Sequence, residues 1–159
     1  THLRNEAKVG DEIQALYPWG QFNVWLNPNE DKKYLMIAGG SGITPIHSIV
    51  RSILAKEKNS EVILLYANKS KEGTIFSQEI KDLSDSHDNF TVLDFISGQR
   101  RLDKGILAQS LQSQTNPEIY LCGPTGFKRT IKTYLKDLGV SSNRLHEEDF
   151  ADGYVSLFN

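Results

Sequence analysis

The stretch YLMIAGGSGITPIHSIV, Tyr34 to Val50, places Gly39, Gly40 and Gly42 where an apolar run gives way to a helical pattern behind Pro45. Glycine orders more backbone on folding than any other residue, so three of them at one junction weaken the fold unless something uses the turn. Gly40, Gly42 and Pro45 spell G-x-G-x-x-P. Backbone N–H groups in such a turn can approach a pyrophosphate, and the dipole of the following helix favours the negative charge. A second glycine turn, CGPTGF (Cys122 to Phe127), also leads from an apolar run into a helical pattern. One such turn is compatible with a tight bend and no ligand. Two of them at partner strands point to a bound phosphate or dinucleotide.

Other chemistries find less support. Cys122 is the only cysteine, which excludes an internal disulfide and a thiolate-held zinc or iron–sulfur centre within these residues. A reducing, cytoplasmic compartment is the expectation. His2, His47, His87 and His146 are too scattered for a metal site. No Ser/His/Asp or paired-carboxylate pattern stands out. The net charge of -2 carries no footprint of nucleic-acid binding. No apolar run approaches the ~20 residues of a membrane-spanning helix.

The elements that would position the glycine turns follow from the apolar periodicity. Tyr34–Ala38, Val62–Ala67, Phe90–Ile96 and Glu118–Cys122 read as strands, with Arg144–Phe150 as a fifth. The first two are continuously apolar, as in a parallel sheet covered on both faces. Helices are expected after Pro45, over TIFSQEIKDL, over DKGILAQSL and over TGFKRTIKTYLKDLG. Thr44 and Thr74 are candidate caps, Pro45 suits a first helical position, and Gly139 is a natural stop. Alternation of strand and helix predicts an α/β fold, a five-stranded doubly wound parallel sheet of order 3-2-1-4-5. Its switch point then lies between the first and fourth strands, where both glycine turns emerge. Residues 1–30 fall outside this pattern. EIQALY and FNVWL read as two strands, followed by a polar linker, and two strands seldom form a stable unit. Residues 1–30 are therefore expected to be the remnant of another domain, with 31–159 the dinucleotide-binding domain.

The series GDEIQALYPWGQF, IAGGSGITP, YANKS, IYLCGPTGF and HEEDF resembles, in order and spacing, the ferredoxin–NADP reductase superfamily, most closely reductase components that feed oxygenases. The resemblance covers the nicotinamide half and the end of an antiparallel β-barrel that binds FAD. It implies that Gly39, Gly40, Ser41, Gly42, Thr44 and Pro45 support the pyrophosphate and nicotinamide ribose. Cys122, Gly123 and Pro124 would lie beside the nicotinamide, with Cys122 near its reactive carbon. Asn68, Lys69 and Ser70 would lie near the adenosine. Glu148 and Phe150 match a terminal Glu-x-Phe near the flavin, and Pro18, Gly20 and Phe22 match the last barrel strand. Arg101 begins RLD, close to the GRID of relatives. Where many relatives carry methionine, Phe127 stands, a core position on its helix.

The implied function is passage of hydride from NAD(P)H to FAD, with electrons going on to a ferredoxin-type or oxygenase acceptor. The implied partner within the full protein is its flavin domain, without which these residues are expected to be inactive. Lys69, Lys71, Arg100 and Arg101 would suit a 2′-phosphate, which leans the coenzyme to NADPH, although lysine at 69 lacks arginine's bidentate fork. Two alternatives remain at this point, a non-catalytic dinucleotide-sensing module and a direct NAD(P)-dependent dehydrogenase.

Overall fold

The structure, a computed structural model, describes residues 5–15, 17 and 20–148. Strand β1 (Lys33–Gly39) is buried from Tyr34 onward, because it is the central strand and side chains on both of its faces are covered. It pairs in parallel with β2 (Glu61–Asn68) on one side and β4 (Glu118–Cys122) on the other. Strand β3 (Phe90–Ile96) lies beyond β2 and β5 (Leu145–Glu148) beyond β4, giving the expected order 3-2-1-4-5.

Alternation along β1 divides the core. Tyr34, Met36 and Ala38 meet Ile43, Ile46, Val50 and Ile53 of α1 (Ile43–Lys56) and Ile80 of α2 (Ser77–Ser86). Leu35 and Ile37 face the other way, into a cluster with Leu107 of α3 (Lys104–Ser113) and Ile131 and Leu135 of α4 (Thr125–Asp137). The period of two in the strand meets the period of 3.6 in the helices, and a three-layer α/β/α sandwich results. Helix α4 ends as its sequence predicts. Gly139 takes a left-handed φ of 76°, its N–H reaches Lys136 O, and the Val140 N–H reaches Leu135 O.

Three local expectations are corrected. Thr44 is not the cap of α1. A 3₁₀ turn, Gly40–Gly42, runs straight into that helix, so Thr44 and Pro45 fall inside it and the Thr44 hydroxyl donates back to Ser41 O at 3.0 Å. Helix α2 starts at Ser77 rather than Thr74. Phe76 breaks the pattern with a left-handed φ of 57°, and the Thr74 hydroxyl donates to Ser70 O within the preceding loop. The two early strands do not form among the described residues. Phe22, Val24 and Leu26 instead lie as an extended segment packed on the α1 side of the core, keeping period-two burial without a partner strand. The described part of Glu12–Tyr17 is likewise irregular.

Glu57 secures this segment. Its buried carboxylate accepts from the Asn27 N–H at 3.0 Å, the Tyr34 hydroxyl at 2.9 Å and the Ser60 hydroxyl at 2.8 Å. Burial, reinforced by the carboxylate, pushes the Tyr34 hydroxyl pKa far up. Among the described residues no helix is long and apolar enough to cross a membrane.

Candidate functional site

Strand register gathers the sequence motifs at one edge of the sheet. Ala38 pairs with Cys122, Gly39 with Ala67, Asn68 with Ile96, and Cys122 with Glu148. The glycine turn after β1 and the turn after β4 therefore emerge side by side. They do more than face each other. A Cβ built on Gly42 would lie 2.3 Å from Cys122 O and 2.6 Å from Gly123 N, so only hydrogen fits there. Gly40 is at φ 52°, with its carbonyl accepting from the buried Tyr66 hydroxyl at 3.2 Å. Tyr66 thereby braces the turn from below, and burial raises its own pKa.

Helices α1 and α4 both start at this junction. Neither carries a side-chain cap or an acidic residue in its first turn. By contrast, α3 is closed by Asp103, which accepts from the Ile106 N–H at 2.9 Å. Uncapped helix starts leave N–H groups directed outward and a positive dipole end, the requirements of an anion site.

A cleft of about 380 Å³ opens there. It runs from Gly39, Gly40 and Pro124 past Phe127 to Asn68, Lys69, Ser70 and Ser97. Among the described residues no carboxylate lines it. Asn68 is only 7% exposed, and its side-chain amide lies in the wall of the cleft against the Tyr66 hydroxyl.

Not every sequence candidate reaches this wall. Ser41 and Thr44 are exposed beside the turn, with Thr44 on the rim of a separate groove on α1, and Pro45 lies under Phe22 and Val24. Gly42 and Gly123 form the junction rather than the lining. Cys122 is fully buried at the end of β4, and Glu148 is its register partner on β5. Of the four candidate cations only Lys69 lines the cleft. Lys71 faces another cavity beside Asp94, Arg100 lies 5.0 Å over the Phe95 ring, and Arg101 is exposed ahead of α3. Phe150 and Pro18 lie outside the described residues.

Two contributors were missed. Phe127, expected in the core, is half-buried and walls the cleft. Lys128 is only 3% exposed and its ammonium donates to Glu148 O at 2.9 Å, tying α4 to the end of β5. The spacing of Lys128, Ile131 and Leu135 along one helix face is the sequence signal that it would be buried.

Residues 36–133 match the family model of the oxidoreductase NAD-binding domain. The chain is 35% identical to the ferredoxin reductase component of 3-ketosteroid-9-alpha-monooxygenase from Mycobacterium tuberculosis, covering 93% of this chain and 41% of that protein. It is 30% identical to a component of 1,2-phenylacetyl-CoA epoxidase from Escherichia coli, covering 94% and 46%. Among solved structures it resembles the flavohem-like FAD/NAD binding domain of nitric oxide dioxygenase from Vibrio cholerae, with TM-score 0.71, 26% identity, and 92% and 62% covered. The chain thus spans less than half the length of these two curated relatives.

Proposed function

The chain belongs to the oxidoreductase NAD-binding domain family, and from that premise we propose that it is the coenzyme-binding half of an FAD-dependent NAD(P)H reductase serving a ferredoxin-type or oxygenase acceptor. The observation that carries the reading is the abutment of two glycine turns, Gly42 against the Cys122 carbonyl, between two uncapped helix starts. The residues suit a dinucleotide. They offer a hydrogen-only contact at the junction, the Asn68 amide in the wall, and, among the described residues, one cation and no carboxylate.

Reduced nicotinamide, when bound, supplies hydride for a flavin, and that redox chemistry belongs to the cofactors. The chain's own residues bind and orient. The turn Gly40–Gly42 and the start of α4 offer N–H groups to the pyrophosphate. Asn68 offers its amide to a ribose oxygen. Cys122, compact and buried beneath the nicotinamide end, and Glu148 beside it hold that end of the crevice in shape, so that the reacting groups can align. No side chain needs to accept or donate a proton in this step. A reducing cytoplasm suits the single buried thiol.

The acceptor assignment rests on likeness to the named reductase component. Residues 1–30 are proposed to close the flavin domain. Trp25, 89% exposed while Val24 and Leu26 turn inward, offers the apolar surface such a domain would cover.

NADPH is the proposed coenzyme. Lys69, Ser70 and Ser97 lie together on the cleft, and among the described residues no carboxylate lines it to suit an unphosphorylated ribose. Titration calorimetry of the chain with each coenzyme tests both levels. The expected outcome is tighter binding of NADPH than NADH, by on the order of tenfold. Equal or tighter NADH overturns the preference. Failure to bind either overturns the dinucleotide reading.

A further inference from the structure

Phe127 carries a role that its place on an amphipathic helix does not explain. It lies in the first turn of α4 with its base packed on the cluster that holds Leu35 and Leu121. Its ring reaches out between the two glycine turns. A Cβ on Gly39 would meet Phe127 Cδ1 at 2.8 Å, Cε1 at 3.1 Å and Cγ at 3.2 Å, and its three nearest neighbours are all atoms of this ring. A Cβ on Gly123 would meet the same Cδ1 at 2.9 Å, and also the Gly39 main chain at 3.1 Å. At Gly42 the obstacle is the main chain of Cys122 and Gly123 alone. The three glycines are therefore required for different reasons, and at Gly39 the reason is the ring.

We propose that Phe127 is the positioning residue of the coenzyme cleft, its ring setting the gap between the two glycine turns and forming the apolar wall for the ADP half of the dinucleotide. This rests on reading the cleft as the coenzyme site. The polar groups of that cleft, Asn68, Lys69, Ser70 and Ser97, can hold phosphate and ribose oxygens but offer no flat apolar surface. A ligand pocket needs both, a few placed polar groups and an aromatic or apolar wall that excludes water. Among the described residues that line the cleft, Phe127 is the aromatic one. Its fixed base makes it a rigid wall with little rotamer entropy left to lose on binding.

The test uses the chain as it stands and ADP-ribose as the probe, with nicotinamide mononucleotide as the control. Phe127→Ala and the milder Phe127→Leu should weaken ADP-ribose by on the order of tenfold and severalfold respectively, with a smaller loss for the mononucleotide, which shares the glycine turns but not the apolar wall. Gly39→Ala should weaken ADP-ribose and lower the melting temperature. Adding Phe127→Ala to Gly39→Ala should lower the melting temperature by less than the sum of the two single losses, whereas with Gly42→Ala the losses should add. Full ADP-ribose affinity in folded Phe127→Leu and Phe127→Ala, or fully additive losses with Gly39→Ala, overturns the proposal and leaves the coenzyme reading standing. Failure of the unsubstituted chain to bind ADP-ribose or NADPH overturns both.

Discussion

Gly40 and Gly42 lie two residues apart and answer to different physics. Gly40 has open space where a side chain would go but a left-handed backbone, so Gly40→Ala should cost about 1 kcal/mol of strain. Gly42 has an ordinary helical backbone but the Cys122 carbonyl where its Cβ would be. Gly42→Ala must push α1 away from β4, at about 3 kcal/mol, and with it separate the two turns. Chemical denaturation and NADPH titration of both variants check this ordering. Coenzyme binding should survive in Gly40→Ala and be lost in Gly42→Ala, and the reverse order would remove the junction from the site. His47 shows another residue-level conflict. It is 8% exposed, stacks on Phe76 with ring centroids 4.6 Å apart, and leaves its Nε2 without a partner. Burial, reinforced by Arg51 and opposed by Glu79, holds its pKa below the usual 6.5. As pH drops past that value the unfolded chain takes up a proton that the folded chain refuses, so stability falls. His47→Leu should flatten the profile as pH falls below 6.5 and raise stability at about pH 7 by about 1 kcal/mol. Melting curves across that range decide it, and parallel profiles for the two proteins would refute the assignment.

At the scale of elements, the segment before β1 depends on one side chain from the end of α1. Glu57 gathers donors from Asn27, Tyr34 and Ser60, all within 3.0 Å. Glu57→Ala takes the acceptor from three donors, two of them buried, and should cost about 3 kcal/mol, while Glu57→Gln keeps one acceptor and should cost about 1 kcal/mol. Urea unfolding measures both, and a loss for Glu57→Ala within about 0.5 kcal/mol would mean that water replaces the carboxylate. This anchor was invisible in the sequence, where Glu57 is one acid among the charges after α1. The contrast with the sheet is instructive. Five strands and their order were legible because burial on both faces leaves continuous apolar runs, and the parallel order follows from the crossover helices. The early strands were misread because period-two burial of Phe22, Val24 and Leu26 needs only a surface to lie on, not a ladder. In the site, the glycine turns were legible because they contradict the fold's own preferences. Phe127 and Lys128 were not, because an apolar or basic residue on a helix carries no mark of which end of the sheet it faces.

For the whole molecule, the sheet order sets the function by setting the place. Reversal of direction between β1 and β4 creates one crevice at the carboxyl edge, and the binding groups are on its rim while the core lies in the two layers behind it. On the proposed reading this architecture holds the coenzyme, and the acceptor for its hydride comes from outside the crevice. On that reading the flavin is held by the other half of the reductase. The 159 residues as they stand should therefore bind NADPH yet reduce ferricyanide no faster than buffer does. Addition of free FAD should leave the rate at background, because proximity and alignment of the two rings, rather than their presence, lower the barrier. The same residues joined to a flavin domain ahead of residue 1 should turn over, with Trp25 fluorescence shifted to the blue as its ring leaves water. Robust turnover by these residues alone would place an electron-accepting group within them and overturn the division of labour proposed for the two halves.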